Sequence, residues 1–496
     1  MASEIIGVVG AGIMGRGIAQ LFTQAGHTVR LHDSRDGAAG AAREFVLSML
    51  DKLATKGAMS ADDVRAAAGR LTAVAALEDL AGCTIVVEAI VEDLEAKRAL
   101  FAALEGIVAE DCLLASNTSS LTVSAIAAGC RHPARVAGLH FFNPVPLMKL
   151  AEVIPGLLTA PAVTDRLLSL VTGTGHRAVR AADQPGFLVN HAGRALYTEG
   201  LRLLEEGVAP VADIDRALRD TLGFRMGPFE LMDLTGLDVS GKVMQSIYEQ
   251  FQQEPRYRPS TLIPPRLAAG LYGRKTGRGF YPYPEGVKQE PAEPPPPPAM
   301  PGTAWVQDGE GVDALRALLA AGGATLADDP AGADVLFTLP WGEDVTAVAV
   351  RTGLDARRLV GIDPLGGLAG RLVLMASPAT DPALADKVHG WLAAAGRAVT
   401  RIQDSPGFIG QRVLAMIVNT GCEIAQRGIA VPPDIDAAVR LGLGYPSGPL
   451  EWGDRVGPAK VLAILERLLS VTGDPRYRPS PWLRRRALLG LSLRGE

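Results

Sequence analysis

Histidine and cysteine are scarce in this chain, and charge of neither sign dominates. Among 496 residues there are seven histidines and four cysteines. Cys83, Cys112, Cys130 and Cys422 form no C-x-x-C pair and no cluster with ligand spacing, which argues against a disulfide framework and a zinc site. Reduced, buried thiols and no metal are expected. Lys plus Arg number 49 against 54 Asp plus Glu, so there is no basic footprint for nucleic acid. No apolar run reaches the ~18 residues needed to span a bilayer. The first run begins at Ile5, too early for a signal peptide. A cytoplasmic protein without a membrane partner is expected. The length predicts roughly three domains at about 150 residues each.

What the chain does contain begins at its N-terminus. Ile5 to Val9 is an apolar run followed by Gly10-Ala11-Gly12-Ile13-Met14-Gly15. Ile18, Leu21, Phe22 and Ala25 then recur at helical spacing, Gly26 ends the helix, and Val29 to Asp33 forms a second short strand ending in an acid. Strand, G-x-G-x-x-G, helix, strand and acid together predict a dinucleotide site. The glycines permit a tight turn and close approach to a pyrophosphate, which sits on the positive end of the helix. A carboxylate at Asp33 accepts hydrogen bonds from ribose hydroxyls and repels a 2′-phosphate, so NAD is expected rather than NADP. Arg35 qualifies that preference, or is a solvated loop residue.

Residues 43–70 read as a helical hairpin. Lys52 and Lys56 are four apart and share a helix face, either as a phosphate contact or as a solvated face. Apolar runs at 84–87, 113–116 and 136–139 are separated by helical stretches, which predicts a largely parallel sheet. Glu92, Ser119 and His140 fall just past predicted strand ends, where such sheets bind ligands. Oxidising an alcohol needs a base for the hydroxyl proton, and histidine suits neutral pH. A carboxylate on its other ring nitrogen would fix the tautomer; Glu152 is the candidate, and Ser119 can supply a hydroxyl to the substrate oxygen. The competing readings are a satisfied core histidine for His140 and a salt-bridging acid for Glu152.

Blocks in order along the chain carry a family resemblance: GAGIMGRGIA at 10–19, VVEAIVEDLEAK at 86–97, ASNTSSL at 115–121, GLHFFNPVPLMKLAEVI at 138–154 and DQPGFLVN at 183–190. DIDRAL at 213–218, MGPFELMDLTGLD at 226–238 and GRKTGRGFY at 273–281 follow. Together they resemble the 3-hydroxyacyl-CoA dehydrogenases over about the first 283 residues. The resemblance implies His140 as base, Glu152 as its partner, and Ser119 and Asn190 bonding the substrate oxygen. It implies NAD contacts from Gly10, Gly12, Ile13, Met14, Gly15, Asp33, Glu92, Lys97 and Asn117, and an acyl-CoA substrate held in part by Lys52 and Lys56. The implied reaction is reversible oxidation of (S)-3-hydroxyacyl-CoA to 3-oxoacyl-CoA, as in fatty-acid or aromatic-acid breakdown. Gly223-Phe224-Arg225 departs from the family's Gly-Tyr-Pro. Arg225 is a surface cation or a contact to an acidic acyl tail.

Past Pro294–Pro298 the helical part recurs. DQPGF at 183 matches DSPGF at 404, Asp213 matches Asp434 and Gly227 matches Gly448, all at an offset of 221 (404 − 183). PRYRPS at 255 returns at 475. Such a constant offset is a tandem duplication. The chemistry is not repeated: Asn190 falls on Gln411, no G-x-G-x-x-G occurs in 304–400, and Gly361-Ile362-Asp363-Pro364 lacks histidine. The expected fold is α/β plus all-α. A Rossmann-type NAD-binding domain spans 1–182, a helical substrate and dimerisation-type domain 183–283 and a Pro-rich linker 284–303. A degenerate α/β domain spans 304–400, and a second helical domain without an active site 401–496. The plan resembles the long bacterial dehydrogenases of the 3-hydroxyadipyl-CoA and 3-hydroxybutyryl-CoA types. One active site per chain is expected, in a homodimer or an intrachain pseudo-dimer of the helical copies. The alternatives are a non-catalytic dinucleotide-binding structural or sensor protein and a lysine-dependent β-hydroxyacid dehydrogenase.

Overall fold

Short runs of Val, Ile and Leu bounded by helical stretches become strands buried on both faces. In the computed structural model, which describes residues 3–495, eight of them build one sheet. They are β1 (Ile5–Val9), β2 (Thr28–His32), β3 (Leu71–Val74), β4 (Ile85–Glu88), β5 (Leu113–Ser116), β6 (Val136–Phe141), β7 (Leu150–Pro155) and β8 (Arg177–Arg180). Their order is β3-β2-β1-β4-β5-β6-β7-β8. Only β6 and β7 pair antiparallel; the other neighbours are parallel. The order reverses at β1, so its carboxyl end is a switch point where a ligand can enter.

Helix Ile13–Gln24 covers this sheet with Ile18, Leu21 and Phe22, all buried. The expected helical hairpin is present as Ala38–Thr55 and Ala61–Arg70, the second capped by the Ser60 hydroxyl accepting from Asp63 N. None of the described helices is long and apolar enough to cross a membrane.

The chain forms two compact units: residues 1–191 with 427–444, and residues 192–426 with 445–496. The first therefore runs past the expected boundary at 182 to include Asn190. It also takes in an 18-residue piece of the second helical copy.

In the second unit a smaller sheet contains β9 (Thr303–Val306), β10 (Thr325–Leu326), β11 (Val335–Thr338), β12 (Leu359–Ile362), β13 (Leu372–Ala376) and β14 (Val399–Gln403). Its order is β10-β9-β11-β12-β13-β14, with β12 and β13 antiparallel. The last three strands repeat β6 to β8 in register. Leu372 pairs Val399 as Ala151 pairs Ala178, and Ile362 pairs Leu374 as Leu139 pairs Val153.

The two helical copies meet within the second unit. Arg256 Nη2 donates to the Arg478 carbonyl at 3.1 Å, and Arg476 Nη2 donates back to the Arg258 carbonyl at 3.3 Å. These are the two PRYRPS copies, related by approximate two-fold symmetry. The symmetry is not exact. Arg412, on helix Gly410–Gln426, is fully buried and bonds Glu199 at 2.8 Å, Glu206 at 2.7 Å and Tyr477 Oη at 2.8 Å. Removing one member of such a network strands the other charge away from water. We expect Arg412→Ala to cost about 3–5 kcal/mol, read as a lower thermal midpoint, whereas an exposed control such as Arg485→Ala leaves the midpoint unchanged.

Candidate active site

The single antiparallel pairing of the first sheet places His140 directly opposite Glu152. His140 Nδ1 lies 2.5 Å from Glu152 Oε2. The carboxylate is completely buried, and its other oxygen accepts from Leu188 N at 2.9 Å and Val189 N at 2.8 Å. These two N–H groups are presented by a turn in which Gly186 (φ 73°) and Phe187 (φ 46°) are both left-handed. For phenylalanine that backbone is strained, and the Glu152 contacts are what the turn delivers. A carboxylate at Nδ1 keeps the proton there and leaves the Nε2 lone pair for a substrate. The imidazole lies beside the Phe142 ring, centroids 4.4 Å apart.

A second set of bonds shapes the loop after β5. Glu92 Oε1 accepts from Thr118 Oγ1 at 2.7 Å, Ser119 N at 2.8 Å and Ser120 N at 2.9 Å. Burial alone would raise this carboxyl, but Lys97 and the loop donors together hold it below its ordinary value. Lys97 is itself buried, 2.5 Å from Glu88 and 3.3 Å from Glu92. Asn117 Oδ1 accepts from Phe141 N at 2.8 Å, tying the ends of β5 and β6 together beside His140. Asn190 Nδ2 donates to the Ser119 carbonyl at 3.4 Å. Ser119, His140, Glu152 and Asn190 thus belong to one connected group of strand ends and turn.

The glycine loop leaves room for an anion. A Cβ at Gly10 would lie 2.5 Å from the Ala89 carbonyl oxygen, and one at Gly15 would lie 1.7 Å from that of Gly10. At Gly12 a Cβ would meet nothing within 4 Å. The helix that starts there has no side-chain cap and no acid in its first turn. This open, positively polarised cradle fits a pyrophosphate. Beside it, a cavity of about 740 Å³ is lined by Gly10, Gly12, Asp33, Arg35, Ile90 and Val91 among others. Asp33 accepts from Ala11 N at 2.7 Å and from Arg35 Nε at 3.0 Å. Arg35 and these backbone bonds hold its carboxyl far below the usual range. Arg35 is therefore a partner of Asp33, exposed on its outer side. A second groove, about 570 Å³, runs between helix Ile13–Gln24, helix Ala38–Thr55 and the 143–149 loop. Arg16, Lys52, Lys56 and Lys149 line it with Phe45, Met49 and Leu147.

Residues 5–184 match the family described as "3-hydroxyacyl-CoA dehydrogenase, NAD binding domain", and residues 186–283 and 407–494 both match its C-terminal domain. The chain belongs to the 3-hydroxyacyl-CoA dehydrogenase family. It is 40% identical over 487 residues, 98% of each chain, to 3-hydroxyadipyl-CoA dehydrogenase of Escherichia coli (strain K12). To a 3-hydroxybutyryl-CoA dehydrogenase of Mycobacterium tuberculosis it is 39% identical over 286 residues, 57% of this chain and 99% of the other. The crystal structure of 3-hydroxybutyryl-CoA dehydrogenase from Escherichia coli K12 substr. MG1655 superposes with a TM-score of 0.87, covering 99% of both chains at 37% identity.

In this dehydrogenase the second copy keeps the frame of the site without its groups. By strand register Asp363 stands where His140 stands, and Val373 where Glu152 stands. Gln411 donates to Asp363 at 2.9 Å and to the Pro340 carbonyl at 3.1 Å. Burial pushes the Asp363 carboxyl up to about 7. Gly407 and Phe408 keep the left-handed turn.

Residue patterns missed Asp183, whose carboxylate accepts from Val123 N at 2.8 Å and Ser124 N at 2.7 Å and so anchors the helix after the Ser119 loop. Asp404 holds Val345 N and Thr346 N in the copy. The shared offset of these two acids was the signal that could have singled them out. Lys52 and Lys56 line the groove rather than contacting the His140–Glu152 group.

Because Glu92 titrates below its unfolded value of about 4.3, its contribution to holding the loop is full at neutral pH. It is lost as pH falls through the depressed value. The stability difference between the chain and Glu92→Gln, measured without cofactor, is expected to close below about pH 4.

Proposed function

We propose that the chain oxidises (S)-3-hydroxyacyl-CoA to 3-oxoacyl-CoA with NAD, reversibly, and that His140 is the general base. The observation that carries this reading is the 2.5 Å contact of His140 Nδ1 with a buried carboxylate whose other oxygen is held by two backbone N–H groups. Nε2 removes the hydroxyl proton as hydride leaves the carbon that bears that hydroxyl and the carbonyl forms. Glu152 then faces the imidazolium and lowers the energy of that charge. In reduction the imidazolium returns the proton to the oxygen. Ser119 and Asn190 are assigned to the substrate oxygen as hydrogen-bond donors, where charge develops. When bound, the nicotinamide supplies the hydride acceptor.

The glycine loop with Ile13 and Met14 is assigned to the pyrophosphate and Asp33 to the ribose. Glu92, Lys97 and Asn117 are assigned to the nicotinamide side, where they shape the Ser119 loop. The cationic groove with Lys52, Lys56, Arg16 and Lys149 suits the phosphates of CoA, and Phe45, Met49 and Leu147 supply apolar surface beside them. The relatives' names support butyryl- or adipyl-sized acyl groups.

His140→Gln is expected to lower turnover of acetoacetyl-CoA with NADH by about 10³-fold or more, within the range of lost acid–base catalysis. NADH affinity should stay within about twofold. A variant retaining most of its turnover means that His140 is not the base. Lys52→Glu combined with Lys56→Glu is expected to raise KM for acetoacetyl-CoA about tenfold at nearly constant kcat, the signature of lost uniform binding.

A further inference from the structure

The exchange between the two copies reaches the active-site carboxylate. Ala182 N, just after β8, donates to the Ile429 carbonyl at 2.8 Å. At the same offset of 221 (403 − 182), Gln403 N, at the end of β14, donates to the Val208 carbonyl at 3.0 Å. Each sheet is thus edged by a segment from the helical copy that follows the other sheet. In the first unit the guest is the second copy's helix Pro432–Leu443, which packs on β7 and β8. Arg177 on β8 and Asp434 on this helix form an ion pair.

The guest helix touches the residues that frame Glu152. Gly442 lies against Leu150 and Val189: a Cβ there would stand 3.0 Å from Leu150 Cδ2, 3.0 Å from Val189 Cγ1 and 3.2 Å from Val189 Cγ2. Leu150 begins the strand that carries Glu152, two residues away. Val189 supplies one of the two N–H groups that hold the carboxylate, and its side chain is buried. At the related contact in the second unit, Thr221 stands at the position of Gly442 (442 − 221), and Gly410 stands at that of Val189 (410 − 189). There the neighbouring strand carries Val373 in place of Glu152, so nothing catalytic depends on the fit.

We propose that helix Pro432–Leu443 positions Glu152 through the Gly442 contact with Val189 and Leu150, so that the active site of the first copy is incomplete without the second. Gly442 is a positioning residue. The absence of a side chain lets the helix seat close enough to fix the 188–189 turn, and the turn fixes the carboxylate that orients His140. The inference rests on the reading of His140 and Glu152 as the catalytic pair.

The test uses the full chain with acetoacetyl-CoA and NADH. Gly442→Val is expected to lower kcat about tenfold, because displacements of a fraction of an ångström at a catalytic pair act on the chemical step. KM for both substrates should remain within about twofold. Adding Val189→Ala removes two of the three methyl groups that a Cβ at 442 meets and is expected to restore kcat to within about threefold of the starting chain. Gly410→Ala is the control, an intrusion of similar size against Leu365 and Asp363 that should leave kcat unchanged. Where Gly442→Val fails to fold, Gly442→Ala with the same compensating change decides the matter.

A normal kcat in the Gly442 variants, or a loss that Val189→Ala does not restore, overturns the inference. His140→Gln assayed alongside separates the two readings. If it is inactive while the Gly442 variants are normal, only the positioning role falls. If it is active, the base assignment fails and this inference fails with it.

Discussion

Everything in the first unit's site turns on one buried carboxylate. Glu152 has no exposed surface, and an ionised group without solvent is costly unless its oxygens are bonded. Three donors meet that demand: an imidazole from β6 and two backbone N–H groups from the 188–189 turn. The same three bonds join the sheet's one antiparallel pair to the segment carrying Asn190. They also fix the imidazole tautomer. Stability and the proposed chemistry share a set of contacts here.

The duplication shows what remains when that carboxylate is gone. The second copy retains the strand register, the left-handed Gly407–Phe408 turn and an aspartate holding the helix after β11. Without Glu152 and His140, its core is closed by the Asp363–Gln411 bond. The helical copies face each other through reciprocal Arg256 and Arg476 bonds, and the Arg412 network makes the pairing unsymmetrical. Each sheet edge is covered by a segment of the other copy, and that cover stays at high effective concentration because it is part of the same chain.

Several site features were legible in residue order because local geometry dictates them. A strand, tight glycine turn and helix must follow one another to leave the Gly12 cradle, and Asp33 must end the next strand to reach it. His140 could be chosen because few histidines compete with it and it follows a buried run. Other features depend on groups far apart in sequence. Lys97, expected from the resemblance as a cofactor contact, is buried against Glu88 because β4 and the following helix turn back on each other. Arg35 reads as a loop cation until Asp33 is seen to bind it. Asp183 carried no local mark of its contact with residues 123 and 124, sixty positions away.

The sequence by itself determined the glycine loop, the residue types at the proposed site, the duplication and the absence of those types from its second copy, because each is written in short motifs or a constant offset. Only the tertiary structure decided that His140 meets Glu152. Twelve residues of separation are compatible with many geometries, and one antiparallel register selects the pairing. It also decided that a helix residue 253 to 290 positions downstream seats beside the segments that frame that pair (442 against 189 and 152). Long-range packing has no local signal, and the close approach at Gly442 exists only because two faces that could not be buried alone cover each other.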